Sequence, residues 1–109
     1  MGIRVLVADD HRLVREAISF RLSAEQDMEV VRQAEDGRTA VRLARELRPD
    51  FIIMDVGMPS LNGIGATRQI VHELPGGRVI GFSGGLDRRC VREMLAAGAS
   101  GYLLKNASF

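Results

Sequence analysis

Along this chain, segments whose apolar residues favour a strand alternate with segments whose apolar residues favour a helix. Five short apolar runs have the length and composition of buried strands, and longer segments between them carry apolar residues at helical spacing. The strand-like runs are residues 3–8, 29–34, 51–55, 78–83 and 101–104, and the helix-like segments are 12–23, 39–48, 64–74 and 87–97. This alternation predicts a doubly wound α/β fold, in which helices cover both faces of a five-stranded parallel sheet.

Polar residues stand at the carboxyl ends of four of these predicted strands. They are Asp9 and Asp10 after the first strand, Asp55 at the end of the third, Ser83 at the end of the fourth and Lys105 at the end of the fifth. Ligands of such sheets bind outside the carboxyl ends of the strands, where the strand order reverses, so we expect these side chains to lie together. Asp55 is the leading candidate, because a carboxylate that follows four large apolar residues is costly to keep charged without a partner.

Three aspartates at one edge of a sheet predict a site for a divalent cation. Their charges repel one another, and all-oxygen ligands of this kind suit Mg²⁺. Lys105 and Ser83 would supply a positive charge and a hydrogen-bond donor to a phosphoryl group. Since an aspartate can itself act as a nucleophile, the residues indicate phosphoryl chemistry at Asp55. The sequence contains no GxxxxGK[ST] loop, no GxGxxG motif and no cluster of Cys and His that would indicate another chemistry.

Composition and charge narrow the class of protein. A chain of 109 residues with 46% hydrophobic content fits one domain with a substantial core. Its formal net charge of +1 gives no general attraction to nucleic acid or anionic membrane, and no apolar run has the length of a membrane span or signal peptide. We therefore expect a cytoplasmic protein. Cys90 is expected to be a small core residue, and His11 and His72 are expected on the surface.

Several of the candidate residues also have a purely structural interpretation. Asp9 or Asp10 alone could cap the helix that follows. Ser83 precedes two glycines and could be only a turn residue, and Tyr102, within the last predicted strand, could be there for packing. The pair Asp9-Asp10 together with Asp55 favours the functional role over capping, whereas the alternatives for Ser83 and Tyr102 stay open at the level of the sequence.

Taken in order, these residues resemble the signature of the response-regulator receiver domain of two-component signalling. The matching positions are Asp9-Asp10, Asp55 with Met58-Pro59 and Gly63 after it, Ser83, Tyr102 and Lys105, and they span nearly the whole chain. The segments 8–11, 63–68 and 97–105 look like the subfamily that carries a LuxR-type helix-turn-helix output domain. The resemblance implies a flavodoxin-like strand order of 2-1-3-4-5 and one receiver domain over residues 1–109.

The resemblance also implies roles at the phosphorylation site. Asp55 would be the phosphoacceptor for a sensor histidine kinase, and Lys105 and Ser83 would contact the phosphoryl group. Ser83 and Tyr102 would act as the switch, with the tyrosine rotamer following the serine. A receiver of this kind is not an enzyme, but it assists its own phosphorylation and dephosphorylation.

The cofactor implied by the resemblance is Mg²⁺. Its direct ligands would be Asp10, Asp55 and the backbone carbonyl of Gly57, and Asp9 would act through a water molecule. Gly57 puts no side chain over the site, which we expect to be open to water.

The sequence departs from the family pattern near its C-terminus. Gly84-Gly85 follows Ser83 where the family usually has a small residue and then a larger polar one, and Asn106 stands where many receivers have proline. The chain also ends before the family's fifth helix and output domain. We therefore expect DNA binding only through an output domain absent from this sequence, and self-association through the sheet face that a fifth helix would cover.

Other functions fit the residues less well. A receiver-like interaction module that signals without phosphorylation would not need three carboxylates and a lysine at one sheet edge. A flavodoxin-like FMN protein would need hydroxyls and backbone amides after its first strand, where this chain has carboxylates. A phosphatase with an aspartate nucleophile would need a second carboxylate two residues later, where Gly57 stands.

Overall fold

Strands and helices alternate without exception in the computed structural model, which describes residues 2–58, 60–84 and 88–104. The strands are β1 (Ile3–Ala8), β2 (Met28–Ala34), β3 (Phe51–Asp55), β4 (Arg78–Ser83) and β5 (Gly101–Leu104). The helices are α1 (Arg12–Ser23), α2 (Gly37–Leu47), α3 (Gly63–Glu73) and α4 (Arg88–Ala96). The predicted fold class is confirmed, and the predicted boundaries differ from the observed ones by at most two residues.

The five strands form one parallel sheet in the order β2-β1-β3-β4-β5. This is the order that the resemblance implied. β1 therefore lies between β2 and β3, and the direction in which successive strands are added reverses at β1. Ala8 pairs with Met54, so the residues that follow β1 and the end of β3 meet at this point of reversal.

The main core lies between one face of the sheet and the helices α2, α3 and α4. Alternate residues of the central strands point into it, and the largest side chains with almost no exposed surface are Leu6, Ile52, Met54, Ile70, Val79 and Met94. Burial of each such side chain contributes about 1.5–3 kcal/mol. Because this core is built on β1, β3 and β4, it gives the carboxyl edge of the sheet a rigid base.

Side-chain caps decide where two of the helices begin. The Asp36 carboxylate accepts a hydrogen bond from the backbone N–H of Thr39 at 2.8 Å, so α2 begins at Gly37 and not at the predicted Thr39. Asn62 caps α3 in the same way, accepting from the backbone N–H of Gly65 at 2.9 Å. With these caps, each helix begins one or two residues before the predicted start. The apolar periodicity does not reveal this, because the added residues lie before the first apolar positions.

The helix α1 packs on the opposite face of the sheet, against β1 and β2. Its first apolar row, Val14, Ile18 and Leu22, is half-buried, as the helical spacing predicts. A second row with the same helical spacing includes Leu13 and Phe20, which are 82% and 80% exposed. One helix can bury only one stripe against a sheet, so the second row points away from it.

Beside α1, apolar side chains of the sheet line a groove with a volume of about 300 Å³, among them Ile53, Ile80 and Leu103. On the other face of the sheet, Cys90 is partly buried against the core, close to the position expected for it. Within the described part of the chain, no helix has the length and apolar character that crossing a membrane requires.

Candidate functional site

Four side chains converge at the carboxyl edge of the sheet, where the strand order reverses. Asp9, Asp10 and His11 follow β1, and Asp55 is the last residue of β3. Each offers one ligand atom, and these four atoms all lie within 4.8 Å of one another. The structure thus brings together the three aspartates that the sequence analysis assigned to this edge, and it adds a histidine to them.

Two of the three carboxylates are almost completely shielded from water. Asp9 is 1% exposed and Asp55 is 5% exposed, whereas Asp10 lies at the surface. Negative charges gathered at this distance repel one another, and burial makes each charge more costly. A hard divalent cation would relieve both costs, because carboxylate oxygens are its preferred protein ligands. The residues present therefore fit Mg²⁺.

Hydrogen bonds to the backbone hold Asp9 in place. Its N–H donates to the carbonyl of Ala34 at the end of β2, at 3.0 Å. The guanidinium of Arg15 donates to the Asp9 carbonyl oxygen at 2.8 Å and to the Gln33 side-chain oxygen at 3.1 Å. Arg15 thereby links α1, β2 and the loop that carries the aspartates. Sequence analysis did not single out Arg15, although its position one helical turn after His11 was a usable signal.

His11 contacts both neighbouring aspartates. Its backbone N–H donates to Asp9 Oδ1 at 2.8 Å, and its ring Nδ1 lies 3.2 Å from Asp9 Oδ1 and 3.2 Å from Asp10 Oδ1. The side chain is 67% exposed, so the expectation of a surface residue is correct, but its contact with the acidic cluster was missed. His11 also occupies the N-cap position of α1, which neither aspartate does.

The start of α3 lies directly against the end of β3. The N–H of Gly63 donates to the carbonyl of Val56 at 2.9 Å, and a Cβ built at Gly63 would overlap the backbone carbonyl of Asp55. Only a residue without a side chain allows this approach. Gly63 therefore helps to position the backbone that carries the Asp55 carboxylate.

Two glycines near this edge of the sheet place no side chain over it. Gly57 is exposed, and among the described residues no atom lies within 4 Å of a Cβ built there. A Cβ built at Gly84, beyond the end of β4, would likewise meet nothing within 4 Å.

Ser83 lies on β4, the strand next to Asp55, and Tyr102 lies on β5, one strand further out. Asp55 pairs with Phe82, so Ser83 is one position further along β4 at the same edge. Tyr102 pairs with Gly81, and a Cβ at Gly81 would lie only 2.7 Å from the tyrosine Cδ2. The ring thus occupies the space left by Gly81. Its hydroxyl is buried and has no hydrogen-bond partner among the residues described.

Two residues of the predicted signature, Pro59 and Lys105, lie outside the described residues. The same holds for Gly85 and Asn106, where the sequence departs from the family pattern. The role expected for Lys105 therefore remains a prediction.

Comparison with known proteins gives consistent matches over nearly the whole chain. Residues 5–109 match the family model described as the response regulator receiver domain. Transcriptional regulatory protein LiaR of Bacillus subtilis is 45% identical over 105 residues, which are 96% of this chain and 50% of LiaR. The chain spans about half the length of the curated relatives it matches.

Solved structures agree with this result. The receiver domain of the response regulator NarL from Mycobacterium tuberculosis superposes with a TM-score of 0.93 at 34% identity, covering 98% of this chain and 86% of that one. A two-component response regulator of the LuxR family from Aurantimonas also has a TM-score of 0.93, at 33% identity, with 99% and 77% of the two chains covered.

Proposed function

Because this chain belongs to the response-regulator receiver family, we propose that it accepts a phosphoryl group on Asp55 from a sensor histidine kinase in the cytoplasm. The observation that carries the proposal is the convergence of Asp9, Asp10 and Asp55 at the reversal of strand order. Three carboxylates that meet where α/β proteins bind ligands suit a cation and a phosphoryl group better than a structural role.

The relatives also support an output function. LiaR is a transcriptional regulatory protein, and the Aurantimonas relative belongs to the LuxR family, in agreement with the subfamily resemblance seen in the sequence. We propose that phosphorylation of this receiver controls an attached DNA-binding output domain of the LuxR type. In this proposal, one domain over residues 1–109 receives the signal, and DNA is contacted only through the output domain.

We assign the Mg²⁺ site to Asp10, Asp55 and the backbone carbonyl of Gly57 as direct ligands, with Asp9 acting through water. Bound there, Mg²⁺ would neutralise the carboxylates and the charge of the phosphoryl oxygens. The support for this assignment is the donor set itself, three aspartate side chains with ligand atoms within 4.8 Å, two of them almost fully buried.

In the transfer, a carboxylate oxygen of Asp55 forms a bond to phosphorus while the P–N bond to the kinase histidine breaks. The departing imidazole keeps the electron pair of that bond and takes up a proton. Lys105 and Ser83 would then contact the phosphoryl oxygens and stabilise their charge. Gly57 places no side chain near the phosphorylation site, which favours approach of the kinase histidine and later of the water that hydrolyses the acyl phosphate.

Ser83 and Tyr102 would convert phosphorylation into a change of surface. The Tyr102 hydroxyl is buried and has no hydrogen-bond partner among the described residues, which supports this role, because an unsatisfied buried hydroxyl costs about 1–3 kcal/mol. A ring held with this penalty can change position when Ser83 moves toward the phosphoryl group. The change would alter the surface near β5 and α4.

The test uses acetyl phosphate as the phosphodonor, with intact mass as the readout. In the presence of Mg²⁺ the chain should gain a single phosphoryl group, and the gain should disappear with EDTA and in Asp55→Asn. Asp27→Asn, which removes an exposed carboxylate between α1 and β2, is the matched control and should behave like the wild type. An equal yield of adduct in Asp55→Asn would exclude Asp55 as the acceptor. No adduct in any variant would favour an interaction module that signals without phosphorylation.

A further inference from the structure

His11 brings a nitrogen atom into a cluster that is otherwise built of carboxylate oxygens. Its Nδ1 lies 3.2 Å from one oxygen of Asp9 and 3.2 Å from one oxygen of Asp10. A ring nitrogen of His11 is also within 4.8 Å of a carboxylate oxygen of Asp55. The imidazole is therefore next to all three acidic groups, although its side chain is largely exposed.

The position of His11 in α1 is not explained by helix capping. Residues with short polar side chains are preferred at the N-cap, because their oxygen accepts a hydrogen bond from the first turn. His11 is the N-cap of α1, but its side chain makes no capping hydrogen bond. Asp36 and Asn62 make that bond at the starts of α2 and α3. In α1 the ring lies against the aspartates instead.

The distances suit coordination of one ion by Asp10, His11 and Asp55 together. Ligand atoms about 2.0–2.2 Å from a shared metal ion lie at most about 4.4 Å apart. The ligand atoms of these three residues lie within 4.8 Å of one another, so shifts of a few tenths of an ångström would bring them around one ion. An exposed side chain such as His11 can make such a shift without disturbing the core.

We propose that His11 is a ligand of the metal site and gives it a preference for Mn²⁺ over Mg²⁺, an inference that rests on the metal-binding function proposed above. Mg²⁺ binds almost exclusively to oxygen. Mn²⁺ shares its preference for carboxylate and water ligands, but as a first-row transition metal it accepts an imidazole nitrogen more readily than Mg²⁺ does. A site of carboxylates alone discriminates little between these two ions through ligand type. The nitrogen of His11 adds a contact from which mainly Mn²⁺ gains.

The experiment compares the dissociation constants of both ions for the wild type, His11→Gln and His72→Gln. The chain has two histidines, and His72 is an exposed residue in the last turn of α3, which makes it the matched control. In His11→Gln the Mn²⁺ affinity should fall about tenfold, the size of effect seen when a group supporting a metal site is lost. The Mg²⁺ affinity should change by less than about twofold. His72→Gln should match the wild type for both ions.

Pulsed electron paramagnetic resonance of bound Mn²⁺ gives a second readout that does not depend on affinity. Nitrogen modulation from a directly bound imidazole should be present in the wild type and His72→Gln, and absent in His11→Gln. Equal changes in the two affinities, or nitrogen modulation that persists in His11→Gln, would overturn the role of His11 and leave the metal site itself intact. A chain that binds neither ion would overturn both this inference and the metal-binding function.

Discussion

At the scale of single residues, the candidate site depends on a glycine as much as on its carboxylates. Gly63 touches the backbone of Asp55 and Val56, and there is no space for a Cβ between them. Gly57, in the same loop region, has open space around it. At Gly63 a side chain would clash with the backbone, whereas at Gly57 a side chain would meet no atom of the described residues.

Replacing Gly63 by alanine should destabilise the fold. Alanine is favoured over glycine in a helix by roughly 1 kcal/mol, but the overlap with the Asp55 carbonyl would force a backbone shift. We expect a net loss of about 1–3 kcal/mol in the free energy of unfolding, measured by urea titration. Gly57→Ala is the control and should stay within about 0.5 kcal/mol of the wild type. Equal stabilities of the two variants would show that the contact between α3 and β3 is not tight.

At the scale of the elements, the helices that follow β2 and β3 are started by side chains of different chemistry. Asp36 caps α2 with a carboxylate, and Asn62 caps α3 with an amide. The hydrogen bond from the backbone N–H of Thr39 lowers the pKa of Asp36 below its ordinary value of 3.8. Only the first of these caps therefore depends on pH.

This difference predicts how the stability of α2 varies with acidity. A lowered pKa means that the stabilisation by Asp36 is present above the unfolded value near 3.8 and is lost as the pH falls through the folded value. Asp36→Ala should cost about 1 kcal/mol in unfolding free energy at pH 7, and its difference from the wild type should shrink at pH values below the folded-state pKa.

Two variants serve as controls for this prediction. Asp36→Asn should keep most of the stability at neutral pH, because asparagine is also a good N-cap. Asn62→Ala should cost a similar amount at both pH values, since an amide does not titrate. If Asp36→Ala costs the same unfolding free energy at pH 7 and at a pH below the folded-state pKa of Asp36, ionisation of Asp36 does not control the cap.

At the scale of the whole molecule, the two faces of the sheet are covered unequally. α2, α3 and α4 pack on one face and α1 on the other. Beside α1, a groove of about 300 Å³ is lined by apolar residues of the sheet, and Phe20 on α1 adjoins a second apolar hollow of about 510 Å³. Exposed apolar residues beside apolar hollows, such as Phe20 here, mark a candidate interaction surface.

We therefore expect this 109-residue chain to self-associate through the face that carries α1. Sedimentation over a series of concentrations should show association in the wild type. Phe20→Ser should weaken it by about tenfold, the effect of losing an apolar anchor worth about 1.4 kcal/mol. Leu95→Ser, which alters an exposed apolar residue of α4 on the opposite side, is the control and should associate like the wild type. A wild type that sediments as a monomer at every concentration would contradict the prediction.

The sequence by itself determined the order and type of the elements, because strands and helices differ in the period of their apolar residues, and that period is local. It also indicated that Asp9, Asp10 and Asp55 would meet, since parallel strands bring their carboxyl ends to one edge. These inferences need no knowledge of which surfaces touch.

The tertiary structure decided what depends on contacts between distant or neighbouring elements. It showed which apolar row of α1 is buried, because both rows have the same helical spacing and only packing against the sheet distinguishes Val14 from Leu13. It placed His11 against two carboxylates and linked Arg15 to Gln33, 18 residues away. Such contacts follow from side-chain direction and from the twist of the sheet, which a one-dimensional pattern of polarity does not contain.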